Sequence, residues 1–179
     1  MTLDVLAVEA FTEGRLDRDD AETQRQLDAA LAAARGYCGW HVTPVNTGAQ
    51  VTVDGTGGAL LALPTLALSA VTAVTEDGVE LDVDALEWSL RGLVRKPYGQ
   101  LWTTRFSGVT ATITHGYASA PDFESAVLSA IERGTFAAGG GETPRVIGPF
   151  QYASATSAGS LFTDPERSVL DRYALERMP

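Results

Sequence analysis

Two histidines, one cysteine and a run of carboxylates are the residues whose types could do chemistry in this chain of 179 residues. Cys38 and His41 stand three apart, a spacing that can put two metal ligands on one helix face. A structural zinc takes four ligands, usually Cys or His, and His115 is the one further candidate of those types. The ligands fall short, so no metal and no other cofactor is expected. Cys38 continues an apolar stripe, which makes it a buried core thiol. His115 ends a strand, where a satisfied or exposed polar group is expected. A single cysteine forms no disulfide within the chain.

The carboxylates gather at Glu76, Asp77, Glu80, Asp82, Asp84 and Glu87. Paired carboxylates serve as acid and base in glycoside hydrolysis. A small carboxylate-based hydrolase is therefore one reading, and it requires converging side chains with a perturbed pKa. The pattern instead puts them mostly on turns and a solvated hairpin. Their spacing does not match a calcium-binding EF-hand loop. Neither a nucleophile elbow nor a phosphate-binding loop is present, and Gly55-Thr56-Gly57-Gly58 reads as a turn rather than a dinucleotide fingerprint. An enzyme is not expected.

The opposite charge follows directly. Arg91, Arg95, Lys96 and Arg105 lie in a stretch without carboxylates, interleaved with Tyr98, Trp102 and Phe106. That mixture suits single-strand stacking or a protein interface. The whole chain carries 23 acidic and 13 basic residues, a net charge of −10, which opposes general binding to nucleic-acid phosphate. Adjacent acidic and basic blocks suit side-by-side subunits that pair unlike surfaces in a heterologous ring contact. The inter-subunit candidates are Glu76, Asp77, Glu80 and Asp82 on one side, and Arg91, Arg95, Lys96 and Arg105 on the other.

The elements that must position these groups are both helical and extended. An apolar fraction of 45% over this length is enough for a core of ordinary size, with one domain as the default. No run of 18 apolar residues predicts a membrane span, and the N-terminus lacks the positive region of a signal peptide, so synthesis inside the cell is expected. Residues 2–11 read as a short helix. Residues 20–38 read as a second, capped by Asp19 or Asp20, with Leu27, Leu31, Ala34 and Cys38 on one face. Its alanines suit either an ordinary core helix or one packed closely between subunits. Residues 50–115 are rich in strand patterns, with hairpins turning at Asp77-Gly78 and Arg91-Gly92. In Val109–His115 the threonines occupy one face and Val109, Ala111 and Ile113 the other. A third helix runs over 121–133, closed by Gly134. A long irregular segment follows from about 139 to 162. A helix of about 14 residues then begins at Thr163-Asp164-Pro165-Glu166, a capping box with a first-turn proline. It is marginal alone and needs a docking surface. The expected fold class is α+β. A core over 1–138 combines helices with an inserted antiparallel hairpin or small sheet region, and 139–179 forms an extended C-terminal arm ending in a helix.

The order of these features carries a resemblance. The second helix ends in Ala-Arg-Gly-Tyr-Cys-Gly-Trp40. A hairpin ending Leu-Ala-Leu-Pro64 follows, then Leu68-Ser-Ala-Val-Thr-Ala-Val-Thr-Glu-Asp-Gly-Val-Glu-Leu81. Next come Gly108-Val-Thr-Ala-Thr-Ile-Thr-His-Gly-Tyr117 and Ala120-Pro-Asp-Phe-Glu-Ser-Ala-Val-Leu128. This succession resembles the head–tail connector, or head-to-tail adaptor, proteins of long-tailed bacteriophages. The tail Val146-Ile-Gly-Pro-Phe-Gln-Tyr-Ala-Ser-Ala155 and Leu161-Phe-Thr-Asp-Pro-Glu-Arg167 is similar to that of actinobacteriophage members, which the preference for Arg over Lys also suits. The resemblance covers nearly the whole chain, while its motifs are short and degenerate. It departs from the compact, mainly helical members in its β-rich middle and in the glycine tract at 139.

The resemblance implies a structural virion protein, made in the host bacterium's cytoplasm and located at the head–tail interface. It implies a ring, commonly of twelve subunits, beneath the portal protein. Such a ring extends the DNA channel and offers a platform to a stopper or tail-terminator protein. Genomic DNA would pass without sequence-specific binding, helped by an acidic lumen. Membranes play no part. A stopper or tail-terminator ring of the same neck is the alternative. The C-terminal segment would dock on the portal, with Phe150, Tyr152, Leu161, Phe162, Leu170 and Tyr173 as candidate anchors. Truncation after Gly141 would then leave a folded core that no longer binds the portal.

Overall fold

The computed structural model describes residues 3–138, 146–147, 150–151 and 161–176. The fold is mixed α+β, as expected, and divides into two compact units. The first takes residues 1–37 and 121–172, and the second takes 38–120 and 173–179. Residues 161–172 belong to the first unit and 173–176 to the second.

The first unit is helical. α1 (Val5–Phe11) starts three residues later than the pattern predicted, because the Asp4 side chain accepts from the Ala7 amide at 2.9 Å and caps the first turn. In α2 (Ala21–Cys38) the Asp20 carboxylate accepts from the Glu22 amide at 2.9 Å, the expected cap. Leu27, Ala30 and Ala34 are buried along one face of this helix. α3 (Pro121–Ala138) runs straight through Gly134, which was expected to end it. No proline stands within nine residues after it, and within the continuing helix Thr135 Oγ1 donates back to the Glu132 carbonyl at 2.6 Å. Phe123, Val127 and Ile131 bury its apolar stripe.

α4 (Asp164–Asp171) is shorter than expected and packs against α3. Glu166 reaches back to accept from the Thr163 amide at 2.8 Å, and Pro165 occupies the first turn, as the capping box predicted. Arg133 of α3 grips Glu166 through both guanidinium nitrogens, at 2.9 and 2.7 Å, and also donates to the Leu161 carbonyl at 3.0 Å. Arg172 pairs with Asp122 at 3.1 Å. Phe162 and Leu170 are buried.

The second unit is built on antiparallel sheets. β1 (Asn46–Val53), β3 (Leu68–Glu76), β4 (Val79–Leu81) and β7 (Val109–His115) form one sheet in the order β1-β7-β3-β4. β2 (Leu60–Ala62), β5 (Glu87–Trp88) and β6 (Leu93–Arg95) form another in the order β2-β6-β5. β7 is a central strand, and its burial alternates residue by residue as its sequence predicted. Its outer threonines bond sideways: Thr72 Oγ1 donates to the Thr112 carbonyl at 3.1 Å, and the Thr52 and Thr110 hydroxyls meet at 3.2 Å. The Asp77-Gly78 turn has φ of 51° and 83°, the left-handed pair that a tight hairpin requires. One apolar core, including Leu61, Leu68, Val74, Val94, Trp102, Val109 and Ile113, draws on strands of both sheets. A further short hairpin pairs β8 (Val146–Ile147) with β9 (Phe150–Gln151) inside the stretch read as irregular. Among the described residues no helix is long and apolar enough to cross a membrane.

Candidate functional site

The acidic block does not converge. Asp77, Glu80, Asp82, Asp84 and Glu87 are exposed. Asp82 caps a short 3-10 turn by accepting from the Asp84 amide at 3.1 Å. Asp77 faces Arg105 at 3.6 Å, and Glu87 pairs with Arg95. With Glu76, Asp77, Asp82 and Glu87 each turned to a different partner, no acid–base couple is assembled here. Among the described residues no three of His, Cys, Asp or Glu stand close enough to hold a metal ion. Cys38 is buried, as its stripe predicted.

Five of the inter-subunit candidates, Glu76, Asp77, Arg95, Lys96 and Arg105, make ion pairs inside the second unit. Lys96 is 7% exposed and pairs with Glu76, while its ammonium donates to the Leu101 carbonyl at 2.9 Å and lies 4.7 Å from the centre of the Trp102 ring. The other Glu76 oxygen accepts from the Thr103 amide at 2.7 Å. This network anchors the loop between β6 and β7. Glu76, Asp77 and Lys96 are among the residues that charge segregation grouped as surface partners. Sequence adjacency could not reveal that Glu76 and Lys96 face each other across the fold. Arg91, Arg95 and Arg105 remain exposed.

Anchored at that end, the same loop presents aromatic side chains to solvent. Tyr98 is fully exposed and Phe106 is 88% exposed. The Gly55 amide donates to the Arg105 carbonyl and the Gly57 amide to the Thr103 carbonyl, each at 2.9 Å. The Ser107 amide donates to Asp54 Oδ1 at 2.6 Å, and the Asp77 amide donates to the Gly108 carbonyl at 2.8 Å. Gly55 is required there, since a Cβ would collide with the Thr103 backbone. The interleaved aromatics were visible in the sequence, but the bracing that holds them outward was not.

Aromatic residues also gather where β7 ends. The His115 ring lies 6.1 Å from Trp40 and 5.7 Å from His41 between ring centres. His115 is 4% exposed and its Nδ1 is buried without a hydrogen-bond partner, contrary to the satisfied or exposed strand end that was expected. The reason is its position between β1 and β3: it pairs with both Asn46 and Leu68. Tyr117 packs edge-on against Trp40 and against Tyr173. The Trp40 indole donates to the Tyr173 carbonyl at 2.6 Å, and the Leu175 amide donates to the Cys38 carbonyl at 2.8 Å. These bonds draw the backbone after α4 into the second unit and explain why that helix stops early.

Burial, and secondarily the His41 charge, lower the His115 pKa from 6.5. The unfolded chain therefore binds more protons than the folded one just below that value, and stability falls with pH there. The second unit is expected to lose stability as pH drops from 7 towards 5, before most carboxylates titrate. Tryptophan-monitored denaturation across that range checks this, and His115→Phe should flatten the slope. An unaltered slope in the variant would assign the acid sensitivity elsewhere.

Of the C-terminal candidates, Leu161 is 46% exposed, whereas Phe162 and Leu170 are buried within the chain's own fold. Tyr173 is half-buried against Tyr117. Phe150 lies on β9, and Tyr152 lies outside the described residues.

Solved structures share this fold over its full length. A chain in the neck of a native gene transfer agent particle, computed with C12 symmetry, is similar with a TM-score of 0.59 at 16% identity, over 100% of this chain and 94% of that one. A chain in the neck of the empty particle, computed with C6 symmetry, gives 0.56 at 18% identity over 98% and 90%. A chain in the virion of the native particle gives 0.58 at 16% identity over 98% and 90%. At these identities the likeness is one of fold. No family model matches the chain, and no curated protein matches it either.

Proposed function

We propose that this chain is a structural, non-enzymatic protein of a phage-like virion, a head-to-tail adaptor that forms a ring in the neck beneath the portal. The observation that carries the reading is the end-to-end fold likeness to a chain in a neck computed with C12 symmetry. The order of sequence features supports it independently. Twelve copies would line an extension of the DNA channel and offer a platform to a stopper or tail-terminator protein. A net charge of −10 on every subunit suits a lumen through which DNA slides without being held.

Neighbouring subunits would pair unlike surfaces, with exposed Glu80 and Asp82 on one side and Arg91, Arg95 and Arg105 on the other. Portal docking falls to Phe150, Tyr152 and exposed Leu161, because Phe162 and Leu170 already stabilise the helical unit. Co-expression of the chain with its portal, followed by cryo-electron microscopy of the complex, tests the reading. Twelve copies seated against the portal are expected. Copies that touch only a tail tube would make it a stopper or terminator, and a chain that never joins a neck would overturn the proposal.

A further inference from the structure

We infer that the outer edge of β1 is a self-association surface, on which a second copy of this chain lays its own β1 antiparallel about a two-fold axis at Val51. The inference is independent of the neck reading. β1 forms one edge of the four-stranded sheet and pairs with β7 alone. On an edge strand, alternate N–H and C=O groups point away from the sheet. Among the described residues, no hydrogen bond from another segment reaches that side of Asn46–Val53. Proteins ordinarily guard such an edge with a charge, a proline, a bulge or sheer shortness. Asn46–Val53 has eight residues, none of them charged and none proline. Its one irregularity is a register shift between Asn46 and Ala49, where Gly48 holds a φ of 71°, and it guards only the first end. Ala49–Val53 is left regular and open, and an edge of that kind accepts another extended strand.

The strand edges on a second copy select its β1 as the occupant. Among the described residues the other open edges belong to β2, β4, β5, β8 and β9, none longer than three residues. Only β1 matches β1 in length, and the number of ladder hydrogen bonds follows length. The strand is also complementary to itself. Antiparallel pairing centred on Val51 sets Ala49 against the partner's Val53 and Gln50 against the partner's Thr52. Apolar side chains then meet on the core face, where Ala49, Val51 and Val53 are only partly buried, and polar ones meet on the other face. A slip of one residue would set apolar against polar throughout. Asp54, the charged residue next to the strand, falls opposite the partner's Gly48, so like charges do not meet in the ladder although each copy carries −10. Pairing over Ala49–Val53 buries less than the roughly 1,000 Å² of a firm interface, so the dimer is weak, and salt strengthens it by screening the net charge. The contact is isologous and closes at two copies, unlike the head-to-tail contact of a ring.

Sedimentation of the full chain over rising concentration, with hydrogen exchange at both ends of the series, tests the pairing. A monomer–dimer equilibrium is expected, with amide protection gained across Asn46–Val53 in the dimer. Gln50 and Thr52 are exposed. Gln50→Lys together with Thr52→Lys places lysines opposite lysines and is expected to weaken the dimer about tenfold. Gln50→Glu together with Thr52→Glu should do the same, and mixing the two variants should restore a dimer, now of unlike copies. Circular dichroism checks that each variant is folded. For the register, copies carrying Gln50→Cys should link on mild oxidation to copies carrying Thr52→Cys, while the native Cys38, 1% exposed, stays silent. A chain that stays monomeric at hundreds of micromolar, or a dimer that gains no protection in β1, would overturn the inference. So would a dimer indifferent to both charged variants, whose contact would lie elsewhere. None of these outcomes touches the neck reading, which the complex with the portal decides separately.

Discussion

Glu76→Ala is expected to destabilise the second unit by about 3–5 kcal/mol, the cost of leaving a buried charge without its partner. Lys96 is left behind in that variant with one carbonyl and an indole face, neither of which neutralises an ammonium ion. The Thr103 amide loses its acceptor as well. The loss is expected to loosen the loop carrying Tyr98 and Phe106, because the network holds that loop at Lys96, Leu101 and Thr103. Trp102 lies against Lys96 and reports the change by fluorescence during urea denaturation. A double variant, Glu76→Leu with Lys96→Met, should recover most of the stability, since an apolar pair of similar volume often replaces a buried ion pair without cost. A single variant as stable as the parent would mean that the pair is solvated in solution.

Leu170→Ala is expected to destabilise the helical unit by about 2–5 kcal/mol, the range for a large-to-small change at a fully buried leucine. The tryptophans at 40, 88 and 102 all lie in the other unit, so far-UV circular dichroism is the suitable readout. The result bears on the C-terminal segment. If the last helix were only an arm awaiting the portal, the substitution would cost nothing in the isolated chain. Its packing on α3, the grip of Arg133 on Glu166 and the burial of Phe162 make it part of the core instead. Truncation after Gly141 is therefore expected to unfold the helical unit, and circular dichroism of the truncated chain distinguishes this from a separable arm.

Much of the fold was legible because local chemistry specifies it. Asp20 before an apolar-periodic stretch, Asp77-Gly78 between β-branched runs, alternation through Val109–His115 and the Thr163–Glu166 box each determine one element within a few residues. Gly134 shows where this local logic ends. A glycine terminates a helix only when the chain leaves it, and α3 runs on through Gly134 to Ala138. Tyr173 is the converse: its helical pattern continues, but the Trp40 indole and Cys38 carbonyl claim the backbone near it. The candidate site was legible in composition and not in geometry. Clustered acids, clustered bases and interleaved aromatics were all countable. Whether Glu76 meets Lys96 or a neighbouring subunit depends on residues 20 apart in sequence being brought face to face.

The sequence by itself determined the α+β class, the caps, the central strand and the acidic surplus, because each follows from residue identity and near-neighbour spacing. Only the tertiary structure decided that Lys96 is internal, that His115 is buried without a partner, that Phe162 and Leu170 belong to the core and that Phe106 is held outward. These are properties of burial and distant pairing, and a side chain's environment is set by the segments folded over it rather than by its neighbours in the chain.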